Sequence, residues 1–477
     1  MDFTEIYKQT GGLVSFSPGA HFILTAVSDR VIVRRADTFH IARSWLVDAL
    51  PSATANASTR RQLPEHADLP ATAITHIGWS CDSEYVLAAC AKAGVVHVFR
   101  MRDEDWRTKI EAGAEGLVKA EWAPDGRHVV CFSEWALRVS VWSLVSGHAS
   151  YIQYPLHPDR GYTFRADGRY FVLAERHRSK DTLGVYDASD AYKLARHYPL
   201  PTSSMSSMSL SPTGNHLAIW EGPLEYKLYI LSLAGDLLGT FTPDSDPGFG
   251  IRTVAWHPSG MFLAVGGWDD KIHILEQLTW SRVATLELGT RIPPGVTVWR
   301  EPVNWIEATE GRGFLSYERL KGPQPLSTVR TDQSKPNLRS GVVQLEFNHT
   351  GTVLLARFEN VPTTMHLFTF PAPGQPFVPS LRSVMTHTRP VYQARWNPVR
   401  KGSLAACCGS RALYVWSDEW VGEGGVEEEM AECVGVPAKS FDTRDIKWAP
   451  DGKGLVLLDR ETFCCGFEVQ EEEAPVI

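Results

Sequence analysis

The chain has 477 residues, is 43% hydrophobic, and carries 47 Lys and Arg against 55 Asp and Glu, a formal net charge of -8. The hydrophobic fraction is ordinary for a packed globular chain, and the acidic balance argues against a chain-wide electrostatic grip on nucleic acid, which needs clustered cations. No apolar run reaches membrane-spanning length, and the start Met1-Asp-Phe-Thr-Glu-Ile-Tyr7 lacks the basic-then-apolar order of a secretory signal, so a soluble cytosolic or nuclear protein is expected.

In chain order the first strand-like segment is Phe3–Tyr7. A short phrase then begins that returns nine times: a large apolar residue, a small or polar residue, often Pro, and a turn ending near Gly. Its copies are Phe16-Ser-Pro-Gly, Trp79-Ser-Cys-Asp-Ser, Trp122-Ala-Pro-Asp-Gly, Phe164-Arg-Ala-Asp-Gly, Leu210-Ser-Pro-Thr-Gly, Trp256-His-Pro-Ser-Gly, Phe347-Asn-His-Thr-Gly, Trp396-Asn-Pro-Val and Trp448-Ala-Pro-Asp-Gly. Around each copy the pattern is regular, as in Gly116–Trp122, His128–Phe132, Leu137–Trp142 and Ala149–Tyr154. Short period-two runs split by turn residues read as antiparallel strands, and Pro-Asp-Gly suits a tight hairpin. The third run of each unit recurs as well, at Val31, Val95, Leu137, Leu183, Lys227, Lys271, Met365, Ala412 and Phe463.

Four strands per unit at a spacing of about 40–50 residues is the WD-type propeller blade. The expected fold is therefore all-β: a WD-repeat β-propeller of about nine four-stranded blades closed in one ring over residues 1–477, with two smaller or incomplete propellers as the alternative. The N-terminal strand is expected to supply the missing outer strand of the last blade, which removes an open sheet edge.

Three stretches depart from the period, at about 48–70, 289–339 and 417–439. The first is rich in Pro, Ala, Ser and Thr, the second in Gly, Pro and charge, and the third holds the acidic run Glu427-Glu-Glu429, which reads as solvated loop. Val296–Trp299 is strand-like and raises a degenerate tenth blade, but Pro density and the missing anchor favour an insertion. In a WD-type blade the loops from a fourth strand to the next blade share a face with the loops between second and third strands. The three insertions are assigned to the former. The latter carry Trp135, Arg176, Arg178, Trp220, Tyr226, Trp268, Asp269 and Arg411, which are expected to form a partner-binding face, since Trp, Tyr and Arg on rigidly held loops make interface hot spots.

No catalytic constellation, cofactor motif or metal-ligand spacing is found. G-x-S-x-G, P-loop and H-E-x-x-H patterns are absent. His97, His273 and His366 alternate with apolar strand residues and read as structural. Asp125, Asp167 and Asp451 sit in the hairpin phrases, where turn geometry explains them. Asp269-Asp270 precedes a strand, where WD blades often carry a structural Asp. The eight Cys have no C-x-x-C pair, and the adjacent pairs Cys407-Cys408 and Cys464-Cys465 point to opposite faces of their strands, so packed free thiols are expected.

The stretches Gly116–Trp122 through Ser150-Tyr-Ile-Gln-Tyr-Pro155, Phe164-Arg-Ala-Asp-Gly-Arg-Tyr170 with Leu173-Ala-Glu-Arg176, Leu224–Lys227 and Val254-Ala-Trp-His-Pro-Ser-Gly260 with Phe262–Gly266 resemble the WD repeat-containing protein 8 family of centrosomal and spindle-pole proteins. The resemblance runs from Phe16 to Trp448; the departures are a longer stretch at Ser52–Pro70 and a different insertion at Gly289–Arg339. It implies a non-enzymatic adaptor in the cytoplasm and cytoskeleton, at the spindle pole body or centrosome. The adaptor would pair with a coiled-coil partner of the synovial-sarcoma-breakpoint-interacting type and, through it, with a minus-end-directed kinesin and anchored microtubule minus ends. It carries over no catalytic residue and no cofactor, and neither nucleic acid nor membrane is expected as a partner. An RNA- or translation-linked propeller and a propeller enzyme stand as alternatives; a basic face or a charged channel pocket would mark them.

Overall fold

The computed structural model describes residues 1–48, 73–245, 247–329, 340–371, 375–421 and 427–468. Among these residues the strands build nine sheets of four to six strands, antiparallel apart from one parallel pair, and one two-stranded ribbon, the all-β propeller architecture expected. The nine phrase-bearing segments are the first strands of nine blades, and each anchor residue is the last residue of its strand, as in Val14–Phe16, Lys119–Trp122 and Asp445–Trp448.

The turn that follows explains the phrase. In blade three (Lys119–Trp122, His128–Phe132, Arg138–Ser143, Ala149–Gln153) Asp125 Oδ1 accepts the N–H groups of Arg127 and His128 at 3.0 and 3.1 Å. Gly126 sits at φ +64, a conformation only Gly adopts freely. The anchor ring then ties its blade to the one before. The Trp122 indole donates to Gly78 O at 3.1 Å and Trp79 to Ser15 O at 3.3 Å. Trp396 donates to Glu346 O and Trp448 to Arg395 O, both at 3.0 Å. In all four pairs the acceptor is the residue just before the preceding anchor, so the aromatic is selected for its N–H as well as its bulk.

The chain divides into two compact units. One holds residues 8–210 and 233–236 and contains blades one to four; blade four is Tyr162–Phe164, Tyr170–His177, Lys180–Asp187 and Lys193–Pro199. Its cores lie between successive sheets: Phe132, Val130 and Val139 of blade three meet Phe171, Leu173 and Tyr186 of blade four. The other unit holds residues 1–7, 211–232 and 237–477. It contains blade six (Ile251–Trp256, Phe262–Gly267, Lys271–Glu276, Arg282–Glu287), blade seven (Val342–Phe347, Val353–Phe358, Thr364–Thr369, Ser380–Thr386), blade eight (Gln393–Trp396, Ser403–Cys407, Ala412–Val421, Glu427–Gly435) and blade nine (Asp445–Trp448, Gly454–Leu458, Thr462–Phe467). Asp2 and Phe3 pair antiparallel with Phe467 and Gly466 as the outer strand of blade nine.

Of the three stretches that depart from the period, the first lies outside the described residues from 49 to 72, and one differs from the sequence reading. The stretch at 417–439 is not an inserted loop on the partner-binding face: its described residues 417–421 and 427–435 belong to the third and fourth strands of blade eight, where Trp416 pairs with Ala431 and Tyr414 with Cys433. The acidic run is strand because one of its carboxylates is satisfied internally: Glu429 Oε1 accepts the indole N–H groups of Trp299 and Trp416, each at 2.8 Å, and the Ser383 hydroxyl.

The stretch at 289–339, described to residue 329, does connect blade six to blade seven, and it forms no tenth blade. Thr297–Arg300 lies parallel on Ser380–Thr386 and antiparallel to Glu318–Lys321, and Phe314–Ser316 pairs with the outer strand of blade eight. The insertion thus covers two sheet edges, which otherwise present unpaired N–H and C=O groups to water. It buries Trp299, Trp305 and Tyr317 in a core shared with blades seven and eight.

None of the eight Cys forms a disulfide; Cys81 is exposed and the other seven are buried. Burial pushes the thiols of Cys407 and Cys464 up to about 12, far from the reactive thiolate. A maleimide reagent is therefore expected to label one thiol in the native protein and all eight after unfolding. Mass spectrometry of the labelled protein, with the modified peptide containing Cys81, checks this.

Candidate interaction face

The loops between second and third strands were expected to carry the binding residues, and the structure separates those residues into accessible and packed. In blade three the chain leaves its second strand through Glu134–Ala136, with Trp135 at φ 60 and 81% exposed. A bulky residue in the left-handed region is strained, and such strain concentrates at functional sites. Leu137 and Tyr154 are also exposed, and the Tyr154 N–H donates to Leu137 O at 3.1 Å. The Tyr154 ring stands edge-on to His177 of blade four, with centroids 5.2 Å apart. Arg178 is exposed on the two-residue turn Arg178-Ser179, where both residues have positive φ, as a tight hairpin of matching twist requires.

Arg176 beside it is committed elsewhere. Its guanidinium binds Oδ1 of Asp181 at 2.8 and 2.7 Å, and the buried Asp181 accepts Thr202 Oγ1 and Met205 N through Oδ2 at 3.2 and 2.9 Å. The group holds the loop in place and offers little free charge to a partner. Trp135, Leu137, Tyr154 and Arg178 thus occupy neighbouring loops of blades three and four.

The other residues named from sequence belong to the second unit. Trp220 and Tyr226 are core residues, 8% and 4% exposed, packed with Leu228, Phe241 and Leu263, and this removes them from any binding face. Trp220 is not a loop residue as expected but lies on the strand His216–Glu221, and the loop that carries Tyr226 folds inward because its ring completes the same apolar cluster. Burial beside Asp269 raises the Tyr226 hydroxyl, and burial also raises the Asp269 carboxyl above the usual range. The neighbouring Asp270 is structural as expected: Oδ1 accepts Gly341 N at 2.7 Å and Oδ2 accepts Asn360 Nδ2 at 2.9 Å. Trp268 is half-buried under the Arg252 guanidinium, 4.3 Å from its ring, and Arg252 is itself paired with Glu359 at 2.5 Å. Arg411 is half-buried against Gly311 of the insertion, where a Cβ would come within 3.0 Å of its guanidinium.

The sequence reading missed Tyr154 and Leu137. Alternation from the buried Ile152 would turn residue 154 inward, but the strand ends at Gln153 and Tyr154 takes φ 59, which reverses its direction. The His97, His273 and His366 reading holds: they occupy the third position of the third strand in their blades and are 6%, 2% and 2% exposed.

Residues 235–275 match the family model described as WD domain, G-beta repeat. The chain is 31% identical over 493 aligned residues to the WD repeat-containing protein WRAP73 of Mus musculus, covering 99% of this chain and 97% of that protein. It is 22% identical over 405 residues to an uncharacterized WD repeat-containing protein of Schizosaccharomyces pombe, covering 80% of this chain and 78% of the other. Among solved structures, the C-terminal WD40 domain of Sif2 aligns at 11% identity with a TM-score of 0.47, over 91% of this chain and 99% of that domain. With nine blades built around the repeated phrase and 31% identity to the mouse protein over 99% of its own length, the chain belongs to the WD repeat protein family as a relative of WRAP73.

Proposed function

We propose that this protein is a non-enzymatic adaptor at the spindle pole body or centrosome, of the WD repeat-containing protein 8 kind, in the cytoplasm and cytoskeleton. It binds a coiled-coil anchoring protein of the synovial-sarcoma-breakpoint-interacting type and, through that partner, a minus-end-directed kinesin and microtubule minus ends. The family resemblance supports the identity of the partner. The observation that carries the binding mode is Trp135, a strained and 81% exposed ring beside exposed Leu137 and Tyr154. An amphipathic helix lays an apolar stripe on such a surface, and Trp and Tyr supply most of the affinity in comparable interfaces. The formal charge of -8 disfavours direct attachment to acidic microtubules.

The test uses Trp135→Gly and Tyr154→Ala. Glycine accepts the left-handed conformation of residue 135 without strain, so the first variant is expected to melt no lower than the natural protein. Both are expected to weaken capture of the coiled-coil partner at least about ten-fold, the size of one lost hot spot. Unchanged capture, or co-sedimentation of the purified protein alone with microtubules, would overturn the reading.

A further inference from the structure

Blade four carries a second group of chemically distinct side chains at the rim of its contact with blade three. Glu175 and His177 lie two residues apart on Tyr170–His177 and therefore project from the same sheet face. His197, on Lys193–Pro199, pairs with Gly184, which pairs with Leu173, so it projects from that face too. Its Nε2 is 3.3 Å from Glu175 Oε2, and the Nε2 of His177 is 3.5 Å from the same oxygen. Ligand atoms of all three lie within 4.8 Å of one another, the only such His, Cys, Asp or Glu group among the described residues.

Two further features make this a built arrangement. Gly184, between Glu175 and His197, leaves the space the group uses; a Cβ there would collide with Glu175 Oε1. The Tyr186 hydroxyl donates to that same Oε1, which fixes the carboxylate and leaves Oε2 directed at the two imidazoles. Glu175 is 2% exposed, whereas His177 and His197 face solvent. A tetrahedral zinc ion with nitrogen and oxygen ligands at about 2.0–2.2 Å requires ligand atoms about 3.3 Å apart. The two Glu–His separations already match that edge. A hydrogen-bond donor that orients a ligating carboxylate is the usual companion of such sites.

We propose that Glu175, His177 and His197 form a binding site for a divalent transition cation of the zinc class. Three protein ligands leave one coordination position open toward solvent, for water or for a side chain of a bound protein. The cation ties the Arg178-Ser179 hairpin to the outer strand of blade four, next to Tyr154. The sequence conceals the site because its ligands follow no linear motif: Glu-x-His on one strand is completed by a histidine two strands away, which only the sheet register brings in.

The test is isothermal titration of the metal-stripped full-length protein with zinc chloride, and titration with cobalt chloride read by its visible absorption. Expected are one zinc bound per chain, a tetrahedral cobalt spectrum, and at least about ten-fold weaker zinc binding in His177→Ala and in His197→Ala. Both substitutions are at exposed side chains, and their folding is checked by thermal melting. Absence of zinc binding would overturn the proposal. So would binding unchanged by either substitution, which would place the metal elsewhere. A six-coordinate cobalt spectrum would equally reject the three-ligand tetrahedral site.

Discussion

Glu429→Ala is expected to destabilise the protein by about 3 kcal/mol or more, measured as the loss of unfolding free energy in urea. Its Oε1 serves the indoles of Trp299 and Trp416, and its Oε2 is 3.3 Å from Arg382 Nε. Trp416 is fully buried and Trp299 is 4% exposed, so truncation strands two indole donors away from water. Each stranded buried donor costs about 1–3 kcal/mol, and the cavity adds to that. Glu429→Gln keeps one carbonyl acceptor of nearly the same shape and is expected to lose about half as much. The insertion would loosen first, since Trp299 lies on its strand Thr297–Arg300 and the pairing of the insertion to blade seven rests on that strand. A loss below about 1 kcal/mol for the alanine variant would show that the two indoles find other partners.

Acidification is expected to weaken the fold between about pH 6.5 and pH 4, well before the carboxylates titrate in bulk. Burial among apolar groups lowers His366 to about 4. Its ring lies 5.3 Å from that of Phe358, and neither nitrogen has a hydrogen-bond partner among the described residues. Burial also lowers His273 to about 4, and lowers His387 despite its neighbour Glu301. An unfolded histidine takes its proton near pH 6.5, so over this window the unfolded chain binds more protons than the folded one. Stability is therefore fully present above pH 6.5, falls as the pH drops toward 4, and stays lost below it. A displacement from 6.5 to about 4 at His366 is worth about 3 kcal/mol. His366→Leu is expected to match or exceed the natural stability at neutral pH and to lose about 3 kcal/mol less on acidification. Urea unfolding of both proteins at pH 7 and pH 4.5 checks the slope; parallel losses would assign the acid sensitivity to other groups.

Most of the fold was legible because a blade is a local object. A large apolar anchor at the end of a first strand, turn residues directly after it and the period-two run of the third strand are each encoded locally, and they recur in every unit. The third-strand histidines were readable as structural for the same reason: they stand between apolar residues of short strands, and those strands are buried on both faces. The acidic run was misread because charge was taken as solvation, whereas Glu429 faces two indoles contributed from the insertion and from its own blade.

The sequence by itself determined nine blades and the position of each anchor. It could not determine which aromatic on the connecting loops meets water. Trp135 and Tyr226 occupy equivalent loops, yet one is 81% exposed and the other 4%, because Tyr226 completes a cluster with Leu228, Phe241 and Leu263 while Trp135 is turned outward by its own positive φ. Exposure depends on which distant segments pack over a residue, and ligand convergence depends on strand register. Both are long-range properties, which is why the Trp135 surface and the Glu175, His177 and His197 group emerged only from the tertiary structure.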